Sequence, residues 1–285
     1  MSDKFNLFIT AAILILAGCA REIQKPIEVC PGKESVSEVL AALQSNSQNI
    51  VSLKAYGQCR LHYYIEGKNK PSSENVNVKL WINPPFEIYL QGDAALVPKA
   101  IVLGSNEQEF WLSLRPKEIS TYWWGQWSQQ DSSEKLLINP KTLLDALGIV
   151  QVDAEENWIL SNDGTFDILT KQDRDRVIKK MYIYSCDYRV GKIEYFDSNG
   201  EFATSAELAD YQEVSEGFFV PALITINTHA KNKAEDSLSI ILNLKSVQPT
   251  IITEKQQNVL FNRPQPRGFK DEYRIVNGRW IKQSQ

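Results

Sequence analysis

Four cysteines and two histidines are the side chains of this 285-residue chain best suited to nucleophilic, redox or metal chemistry. The cysteines are Cys19, Cys30, Cys59 and Cys186, and no two are spaced Cys-x-x-Cys. A zinc or dithiol site therefore has no signature here. His62 and His229 lie near no Gly-x-Ser-x-Gly elbow and no His-Glu-x-x-His helix. Those are the settings in which a histidine serves a serine nucleophile or a metal. The acidic pairs Glu155-Glu156 and Asp173/Asp175 stand among Lys and Arg in expected loops, where solvated charge is the plain reading. No glycine-rich phosphate loop occurs. The expectation is a protein that is not an enzyme and holds no metal or cofactor.

Cys19 stands apart from the others. Phe5 and Leu7 to Ala17 form an apolar run broken only by Thr10, and the small residues Ala17 and Gly18 lie just before the cysteine. A bilayer-spanning helix needs about 20 apolar residues, so this run is too short to span. It fits the apolar region of a secretory signal, with Lys4 and the amino terminus supplying positive charge. Leu16-Ala17-Gly18-Cys19 resembles the lipobox of bacterial lipoproteins. In that family the cysteine thiol receives a diacylglyceryl group, the signal is cut before it, and the new amino terminus is acylated. The resemblance implies loss of residues 1–18 and lipidation of Cys19, with a palmitate-type acyl chain among those added. Two or more chains anchor stably, at about 0.8 kcal/mol per buried CH2. Ala20 stands where an Asp would signal inner-membrane retention. By that sorting rule the chain belongs on the periplasmic face of the outer membrane.

Composition is that of an ordinary globular protein, 43% hydrophobic with a formal net charge of -4. Slight acidity argues against nucleic acid, which selects for basic patches. No later segment is apolar enough, over enough residues, to cross a membrane as a helix. In an exported chain Cys30, Cys59 and Cys186 supply one disulfide and one thiol left over, and the sequence leaves the pairing open.

Ala20 to Glu34 is polar, carries Pro26, Pro31 and Gly32, and reads as a tether. Ser35-Val36-Ser37-Glu38 has capping-box spacing, and Val36, Val39, Leu40 and Leu43 follow at helical spacing. From Lys54 the period changes to two. Val76, Val78, Leu80 and Ile82 alternate with polar neighbours and Trp81, and similar runs surround Phe86 to Gln91 and Glu109 to Arg115. Such alternation marks antiparallel strands with one buried face, and short connections make them a meander. Asn139-Pro140 predicts a second helix with Leu143, Leu144 and Leu147 as its stripe and Gly148 as its stop. Strands then resume from Trp158 to Leu244. Pro221 inside one of them predicts an edge position or a bulge. Leu260-Phe261, Pro264 and Pro266 should end the sheet, leaving residues 267–285 as an irregular tail.

Aromatic residues gather in the first half of the sheet. Trp81, Tyr89, Trp111 and Trp123 are the candidates to line a ligand cavity, and the plainer alternative is that aromatics simply pad the sheet. The N-terminal helix, the long strands, the Pro84-Pro85 turn into Phe86-Glu87-Ile88-Tyr89-Leu90-Gln91-Gly92, the stretch Gly104 to Leu112 and the helix Pro140 to Gly148 together resemble one family. It is the lipoprotein carrier of the bacterial envelope and its outer-membrane receptor, the LolA/LolB-like fold. The resemblance implies an α+β architecture: a curved antiparallel sheet, an incomplete β-barrel, covered by helices and enclosing an apolar cavity for acyl chains. It covers roughly Ser35 to Leu244 and is densest from Val51 to Gly148; the domain expected is 35–266, after the signal at 1–18 and the lipidated tether at 19–34. It further implies an acyl chain, a lipoprotein or an apolar envelope molecule as ligand. The alternative is a structural or sensory lipoprotein that docks an envelope protein partner.

Gly92 to Pro98 joins two strands by a loop longer than a tight hairpin, with Leu96 and Val97 at its tip. Either they fold back onto the core, or they form an exposed apolar tip that touches membrane or cargo. In the receptor of the resembled family, a loop in a similar place carries an exposed hydrophobic residue. That resemblance makes Leu96, and with it Val97, a candidate contact.

Overall fold

Two antiparallel meanders, joined by a single strand pair, build the sheet of this protein. The structure, a computed structural model, describes residues 30–47, 49–63, 71–115, 120–127, 140–149, 157–197, 199–228, 238–276 and 279–283. The signal segment, Cys19, most of the tether, Tyr64 and His229 lie outside the described residues.

The first meander runs β1 (Leu53–Tyr63), β2 (Ser72–Asn83), β3 (Glu87–Ala94), β4 (Val97–Ser105), β5 (Glu109–Leu114) and β6 (Thr121–Gln126). The second runs β7 (Trp158–Asn162), β8 (Phe166–Asp173), β9 (Arg176–Tyr184), β10 (Val190–Phe196), β11 (Phe202–Ser215), β12 (Phe218–Thr228) and β13 (Ser239–Pro249). β1 pairs with β13, from Leu53 opposite Pro249 to His62 opposite Ser239, so the halves form one continuous sheet. Pro221 meets its expectation. β12 pairs with β13 only from Leu223 onward, so on that side Pro221 leaves no ladder bond unmade.

The C-terminal residues correct the expectation of an irregular tail. β14 (Asp271–Val276) joins the outer edge parallel to β6, and β15 (Arg279–Lys282) pairs with β14. The resulting sheet has fifteen strands, and β15 and β7 are its free edges.

Helix α1 (Val36–Ser47) starts where the spacing places it: Ser35 Oγ accepts from Glu38 N at 3.3 Å, while the Glu38 carboxylate accepts from Glu34 N. Val39 and Leu40 are buried against the sheet. Helix α2 (Pro140–Ala146) buries Leu143 and Leu144, with Leu147 just beyond it, and Gly148 ends it at φ +76°. That backbone conformation suits glycine at a helix stop. α2 touches both β4 and β11, which stand six places apart in the sheet. On a flat sheet, roughly 4.8 Å per strand would put them about 29 Å apart. A helix is only about 10–12 Å across. The sheet therefore curls around α2, and the expected open, curved antiparallel sheet is present with two short helices on its inner face.

Helix α3 (Glu254–Leu260) is outside. Its cap is Thr253, whose hydroxyl accepts from Gln256 N at 3.3 Å while Gln256 Oε1 accepts from Thr253 N at 3.0 Å. It leads the chain onto the outer face, where Phe261 packs with Tyr89 and Val102.

One disulfide forms, Cys30 to Cys186, and Cys59 stays a buried free thiol. The bond ties the start of the described chain to the β9–β10 turn. It closes a loop of 156 residues. Replacing both cysteines by Ser should cost about 2–4 kcal/mol in urea unfolding. It should also speed protease cleavage before α1, because Lys33 N to the Asp167 carboxylate at 3.1 Å then remains as the nearest hydrogen bond holding that segment.

Candidate functional site

Alternation fixes what lies under α2. Leu61 on β1, Val76 on β2, Leu90 on β3, Leu103 on β4 and Leu242 on β13 all point inward, because their strands bury every second side chain on that face. With Leu143 of α2 they wall an entirely apolar cavity of about 30 Å3. That is room for a water molecule or two, far less than an acyl chain fills. Cys59 lines the same cavity, and burial pushes its thiol up to about 12. Such a thiol is not a nucleophile at neutral pH. Alkylation of native protein by iodoacetamide should leave Cys59 unmodified and should proceed once the protein is unfolded in urea.

A polar contact fixes α2 over this cavity. Asp145, on the helix between Leu144 and Ala146, is 5% exposed. Its carboxylate accepts from Lys179 Nζ on β9 at 2.6 Å and from Tyr195 OH on β10 at 2.9 Å. Lys179 is largely buried as well, its ammonium lying 5.5 Å from the Tyr195 ring centre. Burial, and then the Asp145 charge, raise the Tyr195 hydroxyl well above its usual value, so it remains a donor. A buried ion pair holds only while both partners are present. Asp145→Ala should therefore destabilise the fold by about 3–5 kcal/mol in urea unfolding, by stranding the Lys179 charge. The double variant Asp145→Leu with Lys179→Met should recover much of that loss.

The four aromatic residues expected to line the cavity separate by strand parity. Trp123 faces inward and packs against the main core. Trp81 and Tyr89 face outward, 6.0 Å apart between ring centres, beneath Phe261. Trp111 is also outside, fully buried with Tyr122 and Phe269. Gly104 makes room for it, since a Cβ there would lie 2.3 Å from the indole. The outward three are thus padding between the sheet and the C-terminal segment. Leu96 is 94% exposed at the β3–β4 tip and Val97 half-buried beside it. Asp93 holds that tip, accepting from Lys99 N at 2.9 Å and from Lys79 Nζ at 3.2 Å. The Lys99 amide is the chief cause that keeps the Asp93 carboxyl below its usual range.

Asp145, Lys179 and Tyr195 escaped the reading of motifs. Their signal is present nonetheless: Asp145 interrupts the leucine stripe of a helix, and Lys179 shares the parity of Met181 and Ile183. Among the described residues no group of His, Cys, Asp or Glu could hold a metal ion, and no helix is long and apolar enough to cross a membrane.

No family model and no curated protein matches the sequence. Solved structures do match the fold. A domain from Vibrio parahaemolyticus, described as an outer membrane lipoprotein-sorting protein domain, overlays with a TM-score of 0.51 at 13% identity. The overlay covers 78% of this chain and 97% of that one. A DUF1329 family protein from Desulfovibrio piger overlays with a TM-score of 0.51 at 10% identity, over 80% of this chain and all of the other. A LolA superfamily protein from Nitrosomonas europaea covers 81% of this chain at 10% identity and a TM-score of 0.49. At such identities the likeness is one of architecture: an open, curled, mostly antiparallel sheet of the kind found in a lipoprotein-sorting domain.

Proposed function

We propose that this chain is a lipoprotein of the bacterial outer membrane that takes up acyl chains, or another apolar envelope ligand, on the inner face of its sheet. Cys19 is its acylated anchor, and lipoprotein or lipid transfer to the outer membrane is its role. The observation that carries this reading is the wholly apolar cavity under α2, in a fold shared with a lipoprotein-sorting domain. Its residues do no bond chemistry: they are hydrocarbon walls, an inert thiol and a helix that covers them. At about 30 Å3 the cavity admits an acyl chain only when α2 lifts and Leu143 withdraws.

Protein extracted from membranes should carry lipid beyond the Cys19 modification, detectable by mass spectrometry, and should bind a fluorescent fatty acid. Recovery of no such lipid together with no fatty-acid binding would exclude the reading. Cys19→Ala should leave the folded domain intact and yield a soluble form or one with its signal uncleaved. Leu96→Ser should leave the melting temperature within about a degree or two, since an exposed side chain contributes little stability. Transfer of a lipoprotein to vesicles should fall in the same variant.

The small cavity volume favours a second reading, a structural or sensory lipoprotein that docks an envelope protein. A single stoichiometric protein partner, recovered with a core that stays empty of lipid, would select it.

A further inference from the structure

Strand register sorts the turns onto two ends of the sheet. β1 begins opposite the end of β13 and the end of β2, so Leu53, Pro249 and Ile82 share one end. The β9–β10 turn with Cys186 lies at that same end, reached through the antiparallel ladders of β12, β11 and β10. The β3–β4 tip with Leu96 lies at the other, because β3 runs away from Asn83 opposite Glu87. β1 alone spans 11 residues, about 36 Å at 3.3 Å each.

At the Leu96 end, cations line the rims of neighbouring strands. Lys99 is the third residue of β4, three past Leu96. Arg115 ends β5, its amide bound to the Ala100 carbonyl at 2.8 Å and its guanidinium 4.7 Å above the Phe269 ring. Lys270 follows Phe269 and donates its amide to the Ser120 carbonyl at 2.9 Å. All three side chains are exposed. Among the described residues, no carboxylate forms an ion pair with any of them. Of the acids at this end, Asp93 and Asp271 are taken by Lys79 and Lys282, and Glu272 lies one residue further along β14. A chain of net charge -4 thus presents unpaired positive charge beside Leu96, the most exposed leucine among the described residues.

We infer that the Leu96 end docks on a lipid surface bearing anionic headgroups, with Leu96 entering the acyl boundary and Lys99, Arg115 and Lys270 meeting the phosphates. This deepens the proposed role of Leu96 and rests on it. Charge complementarity selects the occupant: an apolar tip rimmed by basic residues is the arrangement that binds anionic interfaces. Each cation near such a surface is worth about five-fold in partitioning, so the three together give on the order of 100-fold.

The test places an environment-sensitive fluorophore at Ala95→Cys in the full chain reconstituted in phosphatidylcholine vesicles. Cys59 is buried and Cys30 and Cys186 are bonded to each other, so the label goes to the tip. A second set of vesicles is then added, of phosphatidylcholine alone or mixed with phosphatidylglycerol. The expected result is a blue shift with phosphatidylglycerol that weakens as salt is raised. Lys99→Gln with Lys270→Gln should cut the apparent affinity on the order of 25-fold with an unchanged melting temperature. A blue shift equal on both vesicles, insensitive to salt and lost in Leu96→Ser, overturns the anionic inference while the apolar contact of Leu96 stands. No shift on either vesicle overturns both.

Discussion

Ten residues of β1 lie opposite β13 across about two thirds of the length of the chain, from Leu53 against Pro249 to His62 against Ser239. Every other pairing within the two meanders joins strands that follow one another in sequence. Without the β1–β13 ladder the halves would be two separate sheets. With it, Leu61 comes opposite Ile240 and Cys59 opposite Leu242, and α2 reaches strands of both halves. A contact of such sequence separation is expensive in chain entropy and forms late, after the local hairpins. The disulfide between Cys30 and Cys186 shortens that search once it has formed, because it brings the start of the chain to the second half.

Much of this was legible in the sequence. Alternating runs from Lys54 onward give the strands, Ser35 and Gly148 give helix boundaries, and the family resemblance gives the curled sheet. What was not legible has a common physical cause. The outer face of β2 to β6 is covered by residues 261–270, which have neither a helical nor a strand period and so announce no buried side. Trp81, Tyr89 and Trp111 therefore looked free to face a ligand, although the alternation already set Trp81 opposite Val78 and Leu80. α3 was missed although Thr253-Glu254-Lys255-Gln256 carries capping-box spacing. β14 was missed because its partner β6 lies about 150 residues away, and a strand of 6 residues is too short to show a clear period.

Asp145, Lys179 and Tyr195 differ from the rest of the inner face in kind. Hydrocarbon contacts are non-directional, and a short helix such as α2 could slide along them. A buried ion pair with a tyrosine donor is satisfied in one geometry only, and its members lie on three separate elements. It gives α2 a defined seat, while the leucines beside it supply the adhesion. The cost of leaving that seat is set by a few atoms and not by the whole apolar area.

The Cys30–Cys186 bond also has a mechanical meaning. Any pull on the chain before Cys30 passes through the sulfur bridge into the β9–β10 turn, where it meets the sheet's hydrogen-bonded ladders. α1 begins only at Val36, beyond the bridge, and its Asn46 Nδ2 donates to the Tyr188 carbonyl of that same turn at 3.2 Å. Tension at the amino-terminal side is therefore borne first by the sheet, and it reaches α1 through the turn that both share.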